Sequence, residues 1–232
     1  EIYPIQVQGP KSKDVMQTLF GDAVLDIRYY WTLRTDLDGI PVVISRTGWT
    51  GEVGYEIYLR DASRGGELWD LVMEAGRPLD IRPIAPCEAR RIEAGIFNYG
   101  SDMTIANNPF EIMGLERLVE EQDADYIGKA ALEQIRRKGV DRKLVGIEVA
   151  GDALPFELSR KCAALHNHEP VGTVTDLIWS PRLDKNIGYV WVPIGLADPG
   201  NDLEIRAPDG GLWPAQTASI PFLDPRKATP KS

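Results

Sequence analysis

Cysteine and histidine are scarce in this sequence, which limits the kinds of centre that the chain can build. The chain has two cysteines, Cys87 and Cys162, and two histidines, His166 and His168, without a CxxC or other metal-ligand spacing. Two widely separated cysteines are typical of free thiols in a reducing compartment rather than of a disulfide framework. The histidines flank Asn167 in a segment typical of an exposed turn, so we predict no metal site.

Positive charge and long apolar runs are scarce as well. The chain has 26 lysine and arginine residues against 35 aspartate and glutamate residues, a net charge of −9. Because nucleic-acid binders and binders of anionic membranes need a positive field, we expect neither kind of partner. No apolar run approaches the length of a membrane span and no signal peptide is visible, so we expect a cytoplasmic or mature organelle protein. The first residues already follow a strand pattern, so we expect that this sequence is part of a longer polypeptide whose N-terminal portion is missing.

What the chain does contain is sufficient for a hydrophobic core. Of its 232 residues, 43% are hydrophobic and 26% are charged, which is usual for globular proteins. This length accommodates one large domain or two modest ones.

A glycine-rich loop between two β-rich runs is the most distinctive local feature. The runs are Val42–Ser45 and Tyr55–Leu59, and glycines occupy positions 48, 51 and 54 between them. Glycine tolerates positive φ angles and close backbone approach, so the loop can bend tightly or press against a ligand. The ring of Trp49 with the carboxylates of Glu52 and Glu56 suits a flat heterocycle that carries N–H donors. The alternative is that this segment is a glycine-rich hairpin whose side chains bind no ligand.

Hydrophobic periodicity in the first part of the chain predicts alternating strands and helices. The predicted strands are Ile2–Val7, Asp26–Arg34, Ile40–Ser45 and Tyr55–Leu59, and the predicted helices are residues 10–20, 64–75 and 87–94. The Asp-Gly pair at 38–39 predicts a hairpin, and Trp69 is expected on the buried side of its helix. This mixture is typical of an α+β domain of the ferredoxin-like kind.

The rest of the sequence predicts a loop region followed by a β domain. Residues 95–114 are rich in turn formers, and long loops in compact domains often face ligands. Residues 115–119 are predicted as a strand and 128–138 as a helix. Six short β runs then follow, as in a small antiparallel barrel or sandwich. The predicted division is a first domain at 1–140, a barrel at 141–223 and a flexible tail at 224–232.

Several motifs follow one another in a characteristic order along nearly the whole chain. They are VQGP at 7–10, RTGWTGEVGYEI at 46–57, RIEAG at 91–95, YGSD at 99–102, NPFE at 108–111, YIGKAAL at 126–132, and GTVT to GYV at 172–190. Each motif alone is weak. Their shared order resembles the glycine-cleavage T-protein family of tetrahydrofolate-dependent aminomethyltransferases and their methyltransferase relatives.

The resemblance implies a folate-binding domain with folate in a central channel, followed by a C-terminal barrel. It implies an enzyme that moves an aminomethyl or methyl group to N5 of tetrahydrofolate. Trp49 stands where a tyrosine usually lines the pterin pocket, and Glu56 where a carboxylate accepts the pterin N–H groups. The resemblance places Glu52 next to the pterin pocket, where a structural role suits it better than ligand binding. The implied cofactor-binding residues are Trp49, Tyr55, Glu56, Tyr99, Asp102 and Glu111.

Departures from the family pattern narrow the expected chemistry. Cys87 replaces a family arginine, and whether Arg90 substitutes for it is open. The family's catalytic aspartate would fall before Glu1, so we expect no catalytic residue within this chain. Trp49 and residues 107–111 and 184–188 look more like the dimethylsulfoniopropionate demethylase branch. The expected partner is therefore a small-molecule one-carbon donor or a lipoyl carrier protein.

The aromatic run at 29–31 suits a sulfonium through cation–π attraction, although ordinary strand packing also explains it.

Two other readings of the resemblance stay open. A non-catalytic folate-binding relative that assists iron–sulfur assembly would carry a cysteine in the segment 125–131, which has none. The chain also resembles the C-terminal half of a flavin-linked N-methylglycine dehydrogenase.

Overall fold

The computed structural model describes residues 3–119, 123–154, 162–208 and 210–232. They form two compact units: the first comprises Glu1–Cys87 with Arg226–Ser232, and the second comprises Glu88–Pro225. The structure thus groups residues 88–140 with the barrel, whereas the sequence analysis places a domain boundary at residue 140.

The first unit is a four-stranded antiparallel sheet with helices on one face. Its main elements are β1 (Tyr3–Gln8), α1 (Ser12–Phe20), β2 (Thr32–Leu37), β3 (Ile40–Ser45), β4 (Gly54–Leu59) and α2 (Gly65–Gly76), and the strand order is β1-β4-β3-β2. Side chains alternate between the two faces of a strand, so Tyr55 and Ile57 enter the core with Met16 and Leu68 of the helices. Burial of such side chains stabilises the unit by about 1.5–3 kcal/mol each. Glu56 therefore lies on the opposite face of β4.

The predicted hairpin between β2 and β3 is confirmed. Leu37 pairs with Ile40, which leaves Asp38 and Gly39 as a two-residue loop. Their φ angles are 49° and 76°. Two consecutive positive φ angles match the twist of antiparallel strands, and Asp-Gly adopts them readily.

Two predictions in this unit are wrong. Residues 26–31 form turns and irregular backbone rather than a strand: Tyr30 has a φ of 68°, and the amide of Trp31 donates to the carbonyl of Arg28 at 2.8 Å. The ladder with β3 begins only at Thr32, opposite Ser45. In α2, Leu68 and Val72 are buried as predicted, but Trp69 is 43% exposed, because the buried face is narrower than the predicted one.

The second unit is built around a closed six-stranded antiparallel barrel, which confirms the predicted fold class. Its elements are α3 (Glu88–Glu93), α4 (Lys129–Lys138), β5 (Arg142–Val149), β6 (Ala163–His166), β7 (Glu169–Ser180), β8 (Lys185–Pro193), β9 (Asp202–Arg206) and β10 (Leu212–Ala218), and the order around the barrel is β10-β5-β8-β7-β6-β9. The predicted strand at 115–119 is wrong, because Glu116–Val119 is a 3-10 turn. Residues 95–114 form the predicted loop, with one 3-10 turn at Pro109–Glu111. Position 161, predicted to begin the second barrel strand, lies outside the described residues.

The end of the chain belongs to the first unit. A short helix, α5 (Ala228–Lys231), contains the buried Pro230. The buried Arg46 donates to the carbonyl of Pro230 at 2.9 Å and to that of Ser232. This arrangement differs from the loosely attached tail that the sequence predicts, because a charged side chain within the unit binds the backbone of the tail.

In the described parts of the chain, no helix combines the length and apolarity needed to cross a membrane.

Candidate functional site

The carboxylate of Glu56 accepts hydrogen bonds from three neutral side chains of the first unit. The amide of Gln6 donates to Oε1 at 3.1 Å. The hydroxyls of Tyr58 and Thr47 both donate to Oε2, the former at 3.2 Å. All three donors lie on or beside the polar face of the sheet, because Gln6 pairs with Glu56 across β1 and β4 and Tyr58 is two residues further along β4. This face therefore presents an oriented carboxylate without a cationic partner among the described residues.

Tyr58 is a member of this site that sequence reasoning missed. Burial raises its pKa, and the nearby negative charge of Glu56 and the hydrogen bond to it raise that pKa further. The hydroxyl consequently stays protonated and acts as a donor. The i, i+2 spacing from Glu56 within a predicted strand was the available signal, since alternate residues of a strand share a face.

Trp49 and Tyr55 occupy different environments. Trp49 is half-buried in the glycine loop between β3 and β4. Tyr55 is fully buried in the core, with the guanidinium carbon of Arg46 5.0 Å from its ring centroid. Tyr55 therefore contributes backbone rather than its ring to the polar face, and Glu52 is half-buried in the same loop.

A buried arginine organises the second unit. Arg91 of α3 is 0% exposed and lies between three carboxylates. It donates to Asp102 at 2.8 Å, to Asp176 at 2.5 Å and to Glu88 at 2.5 Å. Buried charges require such partners, because an unpaired ion in a protein interior is strongly unfavourable. We call these four residues the Arg91 cluster.

A β-bulge in β7 directs two successive side chains into the Arg91 cluster. The register with β8 shifts between Val174 and Asp176. Thr175 donates to Asp102 at 2.8 Å, while Asp176 accepts from Arg91. Neighbouring residues of a regular strand would point to opposite faces, and a bulge removes that restriction. The carbonyl oxygen of Asp176 would lie 2.0 Å from a Cβ at Gly188, so the bulge also requires glycine on the facing strand.

The pKa of Asp176 is raised from 3.8 to about 6. Burial is the main cause, and the charges of Asp102 and Glu88 add to it, while Arg91 opposes them. Asp176 therefore holds a proton more readily than an exposed aspartate does, because burial disfavours its charged form and Arg91 does not fully offset that cost.

The other three predicted ligand residues lie in the second unit and differ in burial and in hydrogen-bond partners. Asp102 is 1% exposed and accepts from Arg91, Thr175 and the amide of Asn98, so its carboxylate is part of the Arg91 cluster. Glu111 accepts from the amide of Asn108 in a capping box and lies 3.6 Å from Arg142. In contrast, Tyr99 is 67% exposed.

Two residues bear on the departure from the family pattern near the start of α3, and the structure describes both. Cys87 is an exposed free thiol, and Arg90 is half-buried. Whether Arg90 substitutes for the family arginine therefore stays a prediction.

Comparison with protein families adds a finding to this geometry. The sequence model of the GCVT N-terminal domain matches residues 1–123, and that of the glycine cleavage T-protein C-terminal barrel domain matches residues 142–224. The chain belongs to the glycine-cleavage T-protein family. The resemblance inferred from the motifs is thereby confirmed.

Among similar members of the T-protein family, some are named demethylases and others aminomethyltransferases. The chain is 34% identical over 210 residues to the dimethylsulfoniopropionate demethylase DmdA of Ruegeria pomeroyi, covering 90% of this chain and 57% of the relative. It is 36% identical over 221 residues to an aminomethyltransferase of Thermotoga petrophila, covering 94% of this chain and 58% of the relative. The chain thus spans less than two thirds of the length of these T-protein relatives.

A solved structure confirms the T-protein fold. The chain matches the glycine cleavage system aminomethyltransferase T from Bartonella henselae with a TM-score of 0.78 at 21% identity. The match covers 97% of this chain and 60% of the other.

Proposed function

We propose that the protein is a tetrahydrofolate-dependent one-carbon transferase, with Glu56 as the carboxylate that accepts N–H donors of the pterin. The hydrogen-bonding capacity of Glu56 supports this assignment. A carboxylate offers about four lone-pair directions. Among the described residues, Oε2 accepts from Thr47 and Tyr58, whereas Oε1 accepts from Gln6 alone. Oε1 therefore retains capacity for a ligand donor.

The donor set around Glu56 also suits a neutral, flat ligand. Neutral donors orient the carboxylate without neutralising it, so its charge remains available to the ligand. Trp49 in the glycine loop would wall the ring by stacking. Tetrahydrofolate, when bound, supplies N5 as the acceptor of the one-carbon unit. The residues of this chain bind and orient that acceptor, and catalysis through them is positioning.

For the donor, we propose a small-molecule methyl sulfonium in preference to an aminomethyl group on a lipoyl carrier protein. Cys87 stands where the family has an arginine, and a thiol cannot clamp a carboxylate as a guanidinium does. The relative from Ruegeria pomeroyi is named as a demethylase of such a sulfonium. A turnover assay on the full-length protein with each donor separates the two. Activity with the lipoyl-borne aminomethyl group alone would contradict this choice.

The folate assignment is tested by titrating tetrahydrofolate into the full-length protein and its Glu56→Gln variant. Hydrogen bonds to a charged group contribute about 1.5–3 kcal/mol, so we expect affinity to fall roughly 10- to 100-fold. Glu67→Gln is the matched control, because Glu67 lies on α2 of the same unit and pairs with Arg64. Equal affinity for wild type and Glu56→Gln would remove Glu56 from the folate site.

A further inference from the structure

Gln8, the last residue of β1, extends its side-chain amide into the glycine loop. Its Nε2 donates to the carbonyl oxygens of Thr47 at 3.2 Å and Tyr55 at 3.3 Å. Its Oε1 accepts from the hydroxyl of Thr50 at 2.8 Å. One side chain thus binds the beginning, the middle and the end of the loop.

Two of the loop glycines are explained by this side chain. A Cβ at Gly48 would lie 2.0 Å from Oε1 of Gln8, and a Cβ at Gly54 would lie 2.3 Å from its Nε2. Neither glycine has a positive φ, whereas Gly51 has a φ of +71°. Gly51 therefore serves the turn itself, while Gly48 and Gly54 provide the space that the amide of Gln8 occupies.

Thr47 connects this amide to Glu56. Its carbonyl accepts from Gln8, and its hydroxyl donates to the Glu56 carboxylate. The same hydroxyl lies 2.8 Å from that of Ser45. A change in the position of Thr47 would consequently reach the carboxylate directly.

We propose that Gln8 is a positioning residue for the ligand site, acting through the glycine loop on Trp49 and Glu56. The proposal rests on the proposed function of those two residues. Gln8 selects one conformation of a loop that glycine would otherwise leave free to sample many. The ligand then meets an ordered site, and its binding free energy is not spent on ordering the loop.

The first test compares Gln8→Leu with wild type in tetrahydrofolate titrations of the full-length protein. Leucine retains much of the volume and removes all three hydrogen bonds, so we expect affinity to fall about tenfold or more. Gln17→Leu is the matched control, because Gln17 lies on α1 of the same unit and its amide donates to the exposed Asp22. A purely structural Gln8 would lower the free energy of unfolding and leave the affinity of the folded protein unchanged, which would overturn the proposal.

A second readout needs no folate. Protein labelled with 5-fluorotryptophan gives a fluorine resonance for Trp49, assigned with Trp49→Phe. We expect that resonance to shift or broaden in Gln8→Leu and to stay in place in Gln17→Leu. An unchanged Trp49 resonance in folded Gln8→Leu overturns the inference. A different outcome overturns the proposed function instead: the Trp49 resonance changes in Gln8→Leu, but Glu56→Gln binds folate as tightly as wild type does.

The glycines provide a test in which Gln8 itself is kept. Alanine at Gly54 would displace the far end of the Gln8 side chain rather than backbone, so the fold can persist while the hydrogen bonds of Gln8 are lost. We expect Gly54→Ala to weaken folate binding about as much as Gln8→Ala does. The double variant should then be no weaker than Gln8→Ala alone. Losses that multiply in the double variant would show two independent effects and contradict the proposal.

Discussion

The carboxylates of the two units are held in opposite ways. In the first unit, Glu56 is half-buried and accepts only from neutral donors among the described residues. In the second, Asp102 and Asp176 are buried against the guanidinium of Arg91. Neutral donors orient a carboxylate and leave its charge to a ligand, whereas a buried cation neutralises it and ties elements together. This contrast is consistent with the ligand-binding role proposed for Glu56, and it gives the Arg91 cluster structural cohesion with a pH response.

The largest expected effect comes from removing the central cation of the second unit. Arg91→Met leaves three carboxylates around an apolar side chain, which should cost about 3–5 kcal/mol of unfolding free energy. Urea unfolding measures this loss. Arg64→Met is the control, because its pair with Glu67 lies on the surface, where such pairs contribute little. Equal stability losses for the two variants would show that the Arg91 cluster is not a cohesive element.

The bulge in β7 should be sensitive to a single methyl group. Gly188→Ala would place a Cβ 2.0 Å from the backbone oxygen of Asp176, so the strands must shift. We expect a loss of about 1–3 kcal/mol, typical of overpacking. Gly195→Ala offers a matched control, since a Cβ there meets nothing within 4 Å. Thermal unfolding distinguishes them, and a stable Gly188→Ala protein would argue against the close approach.

The Arg91 cluster should make stability depend on pH in an unusual direction. Because the pKa of Asp176 is raised from 3.8 to about 6, the folded state binds its proton more tightly than the unfolded state. This contribution is fully present below pH 3.8 and is lost as pH rises through about 6. After allowance for solvent screening, it amounts to about 1–2 kcal/mol.

Asp176→Asn isolates this contribution from those of other carboxylates. Urea unfolding of both proteins between about pH 4 and 7 should show a stability difference that shifts in favour of the variant as pH rises. A constant difference across that range would contradict the raised pKa.

The smallest expected effect lies at the site in the first unit. Tyr58→Phe removes one neutral donor from Glu56 and keeps the ring. A hydrogen bond of this kind contributes about 0.5–1.5 kcal/mol, so tetrahydrofolate affinity should fall roughly 2- to 10-fold. Tyr126→Phe serves as the control in the second unit. A wild-type affinity in Tyr58→Phe would mean that Thr47 and Gln6 alone orient the carboxylate.

Much of the fold was predictable because its signals are local. The Asp38-Gly39 pair predicts a tight turn, and short β-rich runs separated by turn residues predict β4 and the barrel strands. The loop chemistry and the family resemblance named Glu56 as a candidate, and the structure then placed it on the polar face of β4. Local reasoning was wrong for residues 26–31, where an aromatic run adopts turns with a positive φ at Tyr30.

The sequence by itself determined the family, most of the strands and the choice of Glu56 as a candidate, because motifs and periodicity are properties of neighbouring residues. Only the tertiary structure decided which distant side chains meet. Arg91 and Asp176 are brought together by a bulge, and Gln8 and Gly54 by the register of two strands. Such contacts join residues that lie far apart in the sequence, so patterns among neighbouring residues do not reveal them. For that reason the contacts of Gln6 and Thr47 with Glu56, the space left for Gln8 and the raised pKa of Asp176 emerged from the folded chain alone.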